Sequence, residues 1–281
     1  MKGTAGGKLI LCGEHAVVHG HPAIAIPVGL HTTVEYEACD GPLEVEHELW
    51  SPRDEDRLDE ALAKLFPDGG ARLRITSDLP VGVGLGSSAA LSVAVARAMG
   101  TPEEEVADRA MAMERVFHGD PSGLDVAVAM KGETLWFIKG KPFRVIPSPP
   151  CAVVAVDSGT GGDTAEMVQR VKDGGLKAEE VLADIGALVH AARAVMEDPV
   201  SLGELLTENH GYLRQLGVST PTLDQVVDLC LGAKAHGAKL SGAGGGGVVL
   251  ALIDDPEPLL RSAEAAGFEA WTVRGASGSD S

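Results

Sequence analysis

Pro80-Val81-Gly82-Val83-Gly84-Leu85-Gly86-Ser87-Ser88-Ala89-Ala90 is the stretch on which the fold turns. It follows Arg72 to Ser77, where apolar Leu73 and Ile75 alternate with polar neighbours as in a half-buried strand. It leads into a helix-like run of Ala, Leu, Val and Met. Glycines let the backbone approach an anion and turn several N–H groups toward it, and a helix beginning at Ser87 adds the positive end of its dipole. Strand, glycine turn and helix in this order make a phosphate cradle. A plain turn in which Ser87 only caps the helix fits the same residues. The stretch is neither G-x-x-x-x-G-K-[ST] nor G-x-G-x-x-G. Pro80 to Met99 is apolar, but Pro80, the glycines, Ser87, Ser88 and Arg97 argue against a membrane span.

The composition narrows what such a cradle serves. With 281 residues the chain has room for two domains or one large one, and 44% hydrophobic with 23% charged residues is an ordinary globular balance. Lys plus Arg number 23 against 41 for Asp plus Glu, a formal charge of -18 that repels nucleic acid and anionic membranes. An anionic ligand must therefore be held locally. Cys12, Cys39, Cys151 and Cys230 lie far apart with no C-x-x-C pair, so neither a disulfide framework nor a zinc knuckle is expected. Leu9 to Cys12 is too short for a signal-peptide core, and a cytoplasmic protein is expected.

Outward from the cradle, Lys8 to Cys12, Thr32 to Cys39 and Leu43 to Glu48 read as strands. Thr101-Pro102-Glu103-Glu104 reads as a helix start with Thr101 as N-cap and Glu104 at the capping-box position, running to about Val116 through Val106, Ala110 and Met113. Thr134 to Ile138 and Phe143 to Ile146 form a hairpin-like pair, and Pro147-Ser148-Pro149-Pro150 is the expected linker. This places an N-terminal domain at 1–148 and a C-terminal domain at 149–281. The second half opens with a buried strand, Cys151 to Val156, and continues through helices near 163–173, 178–197, 201–215 and 221–236, with strands near 247–253 and 268–273. The fold class expected is α+β.

Two further glycine segments carry candidate chemistry. Lys239-Leu240-Ser241-Gly242-Ala243-Gly244-Gly245-Gly246-Gly247-Val248 contains G-x-G-x-x-G, yet a strand follows where a dinucleotide site needs a helix. It is either a second phosphate contact or a close backbone packing point. Gly6-Gly7-Lys8-Leu9-Ile10-Leu11-Cys12-Gly13-Glu14-His15 flanks a short strand with charged groups, for which solvation is the ordinary reading. His15 and His19 lack an H-E-x-x-H context, so no zinc site is expected. Glu114 sits at the edge of an apolar helical stripe, where a carboxylate facing inward needs a cation or donors. In His118-Gly119-Asp120-Pro121-Ser122-Gly123-Leu124-Asp125 the last residue stands near a helix start. It is either a capping group or a carboxylate that takes a proton from an attacking hydroxyl.

Together the lysine-strand-G-E-H segment, P-x-x-x-G-L-G-S-S-A-A and K-L-S-G-A-G-G-G-G strongly resemble the three motifs of the GHMP kinases, over residues 8 to 253. Gly13 to Gly20, Glu114 to Asp125 and Ser219-Thr220-Pro221-Thr222-Leu223-Asp224 look most like the mevalonate kinases. The resemblance implies a two-lobed fold, with a ribosomal-S5-like N-terminal lobe, a ferredoxin-like C-terminal lobe and ATP and substrate in the cleft. It implies a homodimer and ATP-dependent phosphorylation of the primary hydroxyl of mevalonate, in the supply of isoprenoid precursors. Gly82, Gly84, Leu85, Gly86, Ser87, Ser88 and Ala89 then form the ATP phosphate loop, with Gly242, Ala243 and Gly244 supporting the nucleotide. Glu114 and one serine, Ser88 in preference to Ser87, match the Mg²⁺ ligands. Asp125 matches the catalytic aspartate and Lys8 the lysine beside it, while Glu14, His15, Asp125 and Thr164 match substrate contacts. Two other readings are a kinase of the same superfamily acting on another small alcohol or sugar, and an idle nucleotide-binding relative.

One departure stands out. Mevalonate kinases carry basic residues before the threonine, whereas this chain reads Asp157-Ser158-Gly159-Thr160-Gly161-Gly162-Asp163-Thr164. A backbone nest or a helix N-terminus near Thr164 is the expected substitute for holding a carboxylate.

Overall fold

Two long strands open the chain, β1 (Lys2–Cys12) and β2 (Ala23–Ala38), joined through a 3-10 helix at Ala16–His19. Then come β3 (Glu44–His47), α1 (Pro52–Ala63), β4 (Ala71–Ser77), α2 (Ser87–Ala98), α3 (Glu103–His118), α4 (Leu124–Lys131), β5 (Leu135–Phe137), β6 (Arg144–Val145) and β7 (Ala152–Asp157). The remainder is α5 (Thr164–Asp173), α6 (Gly175–Ala194), α7 (Pro199–Gln215), α8 (Pro221–Gly232), β8 (Gly237–Leu240), β9 (Val248–Ile253), α9 (Glu257–Ala265) and β10 (Ala270–Arg274). The computed structural model describes residues 1–47 and 52–274. Among these no helix is long and apolar enough to cross a membrane.

The chain divides into two compact units. The first comprises Met1–Lys8, Pro27–Val81 and Leu85–Gly132, and the second Leu9–Ile26, Gly82–Gly84 and Glu133–Ser281. In the first unit β4 runs antiparallel to β2 from Thr32↔Ser77 to Ala38↔Ala71 and parallel to β3 from Glu44↔Arg72 to His47↔Ile75. Val34, Leu73 and Ile75 face a core shared with Leu58 and Leu62 of α1, Leu91 and Val95 of α2, and Val106 and Met113 of α3. α2 is buried on nearly every side, as its run of Ala, Val and Leu requires, and this fixes the position of its first turn.

In the second unit an antiparallel sheet has the order β10-β7-β9-β8. β7 and β9 are buried along almost their whole length, as their runs of Val, Ala and Leu demand. Ala23–Ala25 of β2 pairs with β5, and β5 with β6, which is the expected hairpin.

Several local expectations are corrected. Thr101 does not cap α3: the N-cap is Pro102, no side chain caps the helix, and the Thr101 hydroxyl is buried without a partner. Glu103, one position before the expected box residue, instead pairs with Arg97 at 2.6 Å. The cap of α2 is Gly86 in the left-handed region, so Ser87 is the first helical residue. Besides the 3-10 helix at Ala16–His19, three elements carry no expectation from the sequence. β8 is four buried residues containing a glycine and a lysine, with no alternation to betray it. α1 and α9 are short and rich in charge. The strand expected over Leu43 to Glu48 ends within the described residues at His47, and Glu48 lies outside them.

Candidate active site

In the first unit, three parts converge on the start of α2. The β1 residue Lys8 donates its amide to the Leu85 carbonyl at 2.9 Å. Gly86 has φ +76, and a Cβ there would meet Lys8 Cγ at 2.9 Å, so only glycine lets the lysine stem lie across the turn. The first intrahelical bond runs from Ala90 N to Gly86 O at 3.0 Å, which leaves the amides of Ser87, Ser88 and Ala89 for an anion.

Lys8 Nζ stands 3.1 Å from Asp125 Oδ2, with the lysine side chain 5% exposed and the aspartate 29%. Asp125 lies in the first turn of α4, whose N-cap is Gly123 without any side-chain cap, so the capping reading of Asp125 does not apply. Its carboxylate is compensated yet reachable.

Glu114 reaches the same unit from α3 and is 1% exposed. Burial, and then the nearby Asp125 charge, push its carboxyl up to about 7. Ser92 stands 3.4 Å from Glu114 Oε1 and donates to the Ser88 carbonyl at 2.8 Å. His118 is 3.8 Å from Glu114 Oε2, and burial depresses its pKa, so it brings no full positive charge at neutral pH. Glu114 is thus a buried carboxylate still short of a counter-charge, with the Ser88 hydroxyl beside it. Among the described residues no three His, Cys, Asp or Glu cluster to hold a metal alone. A divalent cation shared with a nucleotide needs only one or two protein ligands, which is what Glu114 and Ser88 offer.

In the second unit, Ser241 Oγ accepts from Ile10 N at 3.1 Å and donates to Ile10 O at 3.0 Å, tying the third glycine segment to the first. Gly82–Gly84 lies against the same loop: a Cβ on Gly84 would meet Ser241 O at 3.5 Å. Gly246 packs so closely on the loop after β7 that a Cβ would stand 2.2 Å from Thr160 O, and its φ of +152 excludes other residues independently. Gly242, Ala243 and Gly244 lie in this loop, and Ala243 O accepts from His15 Nε2 at 2.8 Å. His15 has φ +59, an uncommon conformation for a residue with a Cβ, and burial lowers its pKa so that the ring is neutral.

Glu14, 1% exposed, is paired with the fully buried Lys239, which also donates to the Leu240 carbonyl. Asn209 Nδ2 donates to Glu14 Oε2 at 3.3 Å. Neither Lys239 nor Asn209 was singled out from the sequence. A signal existed for Asn209, which falls on the stripe Leu202, Leu206, Asn209, Leu213, where a lone amide must find a partner inside.

Thr164 is exposed at the first position of α5. The helix N-terminus expected there to hold an anion is already occupied: Asp163 accepts from Ala165 N at 2.8 Å and Glu166 N at 3.2 Å. A carboxylate cap both consumes those amides and repels a second anion.

Family models match both parts of the chain: "GHMP kinases N terminal domain" over residues 56–133 and "GHMP kinases C terminal" over 187–276. A mevalonate kinase of Pyrococcus abyssi (strain GE5 / Orsay) is 34% identical over 293 residues, covering 89% of this chain and 87% of the relative. A crystal structure of L. major mevalonate kinase in complex with R-mevalonate superposes with TM-score 0.86 at 26% identity, covering 98% of this chain and 96% of that one. The Methanococcus jannaschii mevalonate kinase structure gives 0.81 at 26% identity, covering 98% of each chain. With its motifs in the matching order and its sheets and helices in the matching fold, this chain belongs to the GHMP kinase family.

Proposed function

We propose that this chain transfers the γ-phosphoryl group of ATP to the primary hydroxyl of mevalonate, giving 5-phosphomevalonate and ADP. The observation that carries the reading is the Lys8–Asp125 pair, 3.1 Å apart, whose carboxylate stays within reach of a ligand. The mevalonate kinase names of the relatives supply the substrate.

Asp125 accepts a hydrogen bond from the substrate hydroxyl and takes its proton as the oxygen–phosphorus bond forms and the bond to the ADP oxygen breaks. Lys8 offsets negative charge on the group in transit. The amides of Ser87, Ser88 and Ala89 and the glycines of 82–86 and 242–244 hold the phosphates, a positioning role that dominates in phosphoryl transfer. Glu114 and Ser88 would hold Mg²⁺, which supplies charge neutralisation on the transferring group when bound. Glu14, fixed by Lys239 and Asn209, and His15, fixed on Ala243, form the substrate wall. Thr164 is the remaining contact assigned by resemblance. The homodimer and the cytoplasmic setting belong to the same reading.

The test is ADP release by the purified protein with MgATP, comparing mevalonate with phosphomevalonate, galactose, homoserine and no acceptor. Turnover with mevalonate alone is the expected result. Turnover with another acceptor and none with mevalonate would move the substrate, and silence with every acceptor would favour the idle relative.

A further inference from the structure

Four side chains, Ser88, Glu114, Ser92 and His118, meet around the first turn of α2, and the last two have no part in the scheme above. His118 ends α3 and places Nε2 3.1 Å from Ser88 Oγ. The spacing explains the meeting: Glu114 and His118 are four apart on α3, and Ser88 and Ser92 four apart on α2, so each helix presents its pair on one face. The Ser92 hydroxyl is directed to the Ser88 carbonyl at 2.8 Å, away from the Ser88 hydroxyl.

A hydroxyl that ligates a cation must turn a lone pair toward it and send its proton elsewhere. Two acceptors stand within reach of the Ser88 hydroxyl, the Glu114 carboxylate and His118 Nε2, and a proton directed at Glu114, itself assigned to the cation, would oppose the metal. His118 Nε2 is an acceptor at bonding distance, provided the ring proton sits on Nδ1. No bond of this kind is made by Ser87 among the described residues.

We propose that His118 is a positioning residue for phosphoryl transfer, accepting the hydrogen bond of the Ser88 hydroxyl at Nε2 so that a lone pair of the Ser88 oxygen faces the divalent cation of the nucleotide. The inference rests on the reading that Ser88 and Glu114 hold that cation. His118 itself does not touch the metal.

The experiment is an electron paramagnetic resonance titration of Mn²⁺, with a non-hydrolysable ATP analogue, into wild type, Ser88→Ala, His118→Ala, His118→Gln, His118→Asn and the Ser88→Ala/His118→Ala double variant. A lost orienting partner costs roughly tenfold in metal affinity. The expected pattern is a loss of about tenfold for His118→Ala in the wild-type background and no further loss in the Ser88→Ala background, because the histidine acts through that serine. His118→Gln, whose amide reaches the Nε2 position, retains the affinity, and His118→Asn does not. Unchanged affinity in His118→Ala, or an equal loss with and without Ser88, overturns the inference while leaving the cation assignment intact. Unchanged affinity in Ser88→Ala overturns the cation assignment and the inference with it. If His118→Ala does not fold, the Gln and Asn variants decide: equal affinities, or Asn better than Gln, overturn the proposal.

Discussion

Each unit carries one lysine–carboxylate pair, and the two are built differently. Lys8–Asp125 in the first unit leaves its carboxylate 29% exposed, whereas Glu14–Lys239 in the second is sealed, at 1% and 0%. An open carboxylate can exchange its partner for a ligand and move a proton. A sealed pair has no such freedom: its charges are compensated internally, with Asn209 and the Leu240 carbonyl taking remaining hydrogen-bonding positions. The contrast is between a carboxylate open to a ligand and one locked into the fold.

The comparison is broken most directly at the open pair. Asp125→Asn is expected to fold and bind ATP like the wild type while kcat falls by roughly 10²–10⁴, the usual span for a general base. Steady-state kinetics with thermal melting checks this, and activity within a few-fold of wild type would remove Asp125 from the mechanism. At the sealed pair the loss should appear in stability instead. Lys239→Met strands the Glu14 carboxylate and should cost about 3–5 kcal/mol in denaturant unfolding, most of it recovered when Glu14→Gln is added. A single variant as stable as the double would mean that the pair is not buried as described.

Glu114 sharpens the contrast, being as deeply buried as Glu14 but without a lysine of its own. Its carboxyl is raised from an ordinary 4.5 to about 7. Between those values the metal-free folded protein holds a proton that the unfolded chain has released. Stability is therefore lost as pH rises through this window and levels off above it, by roughly 3 kcal/mol in all. Glu114→Gln should flatten this limb of the stability profile, and an unaltered slope would contradict it. The same titration makes the wild type bind a divalent cation better as pH rises through about 7. The smallest effect lies away from both pairs: Thr101→Val removes a buried hydroxyl with no partner and should leave stability unchanged or raise it by up to about 1 kcal/mol in denaturant unfolding. A clear loss would show that the hydroxyl is satisfied after all.

Much of the architecture was legible because it is written in local periodicity. Leu73 and Ile75 alternate, the apolar helix after Ser88 has no polar face, and the runs in β7 and β9 are continuous. The failures are also physical. Threonine, proline and glutamate at 101–104 have the propensity of a helix start with Thr101 as cap, but the chain enters α3 one residue later, with Glu103 drawn to Arg97. β8 lacks any pattern because all four of its residues are buried, and its lysine is there to meet Glu14.

The candidate site divides the same way. The glycines, Ser88, Glu114, Asp125 and Lys8 were candidates from the sequence because they fall on the motifs by which the chain resembles the GHMP kinases. What the sequence determined by itself was therefore the order of the elements, the glycine turns that only residues without a Cβ can make, and the family. What the tertiary structure alone decided was partnership: that Lys239 and Asn209, 225 and 195 residues from Glu14, close around its carboxylate, and that His118 meets Ser88 across two helices. It also decided that Asp163 occupies the helix end expected to receive an anion. Local pattern records which face of an element is apolar, whereas the pairing of buried charges depends on which elements come to lie together, and no short window of sequence contains both partners.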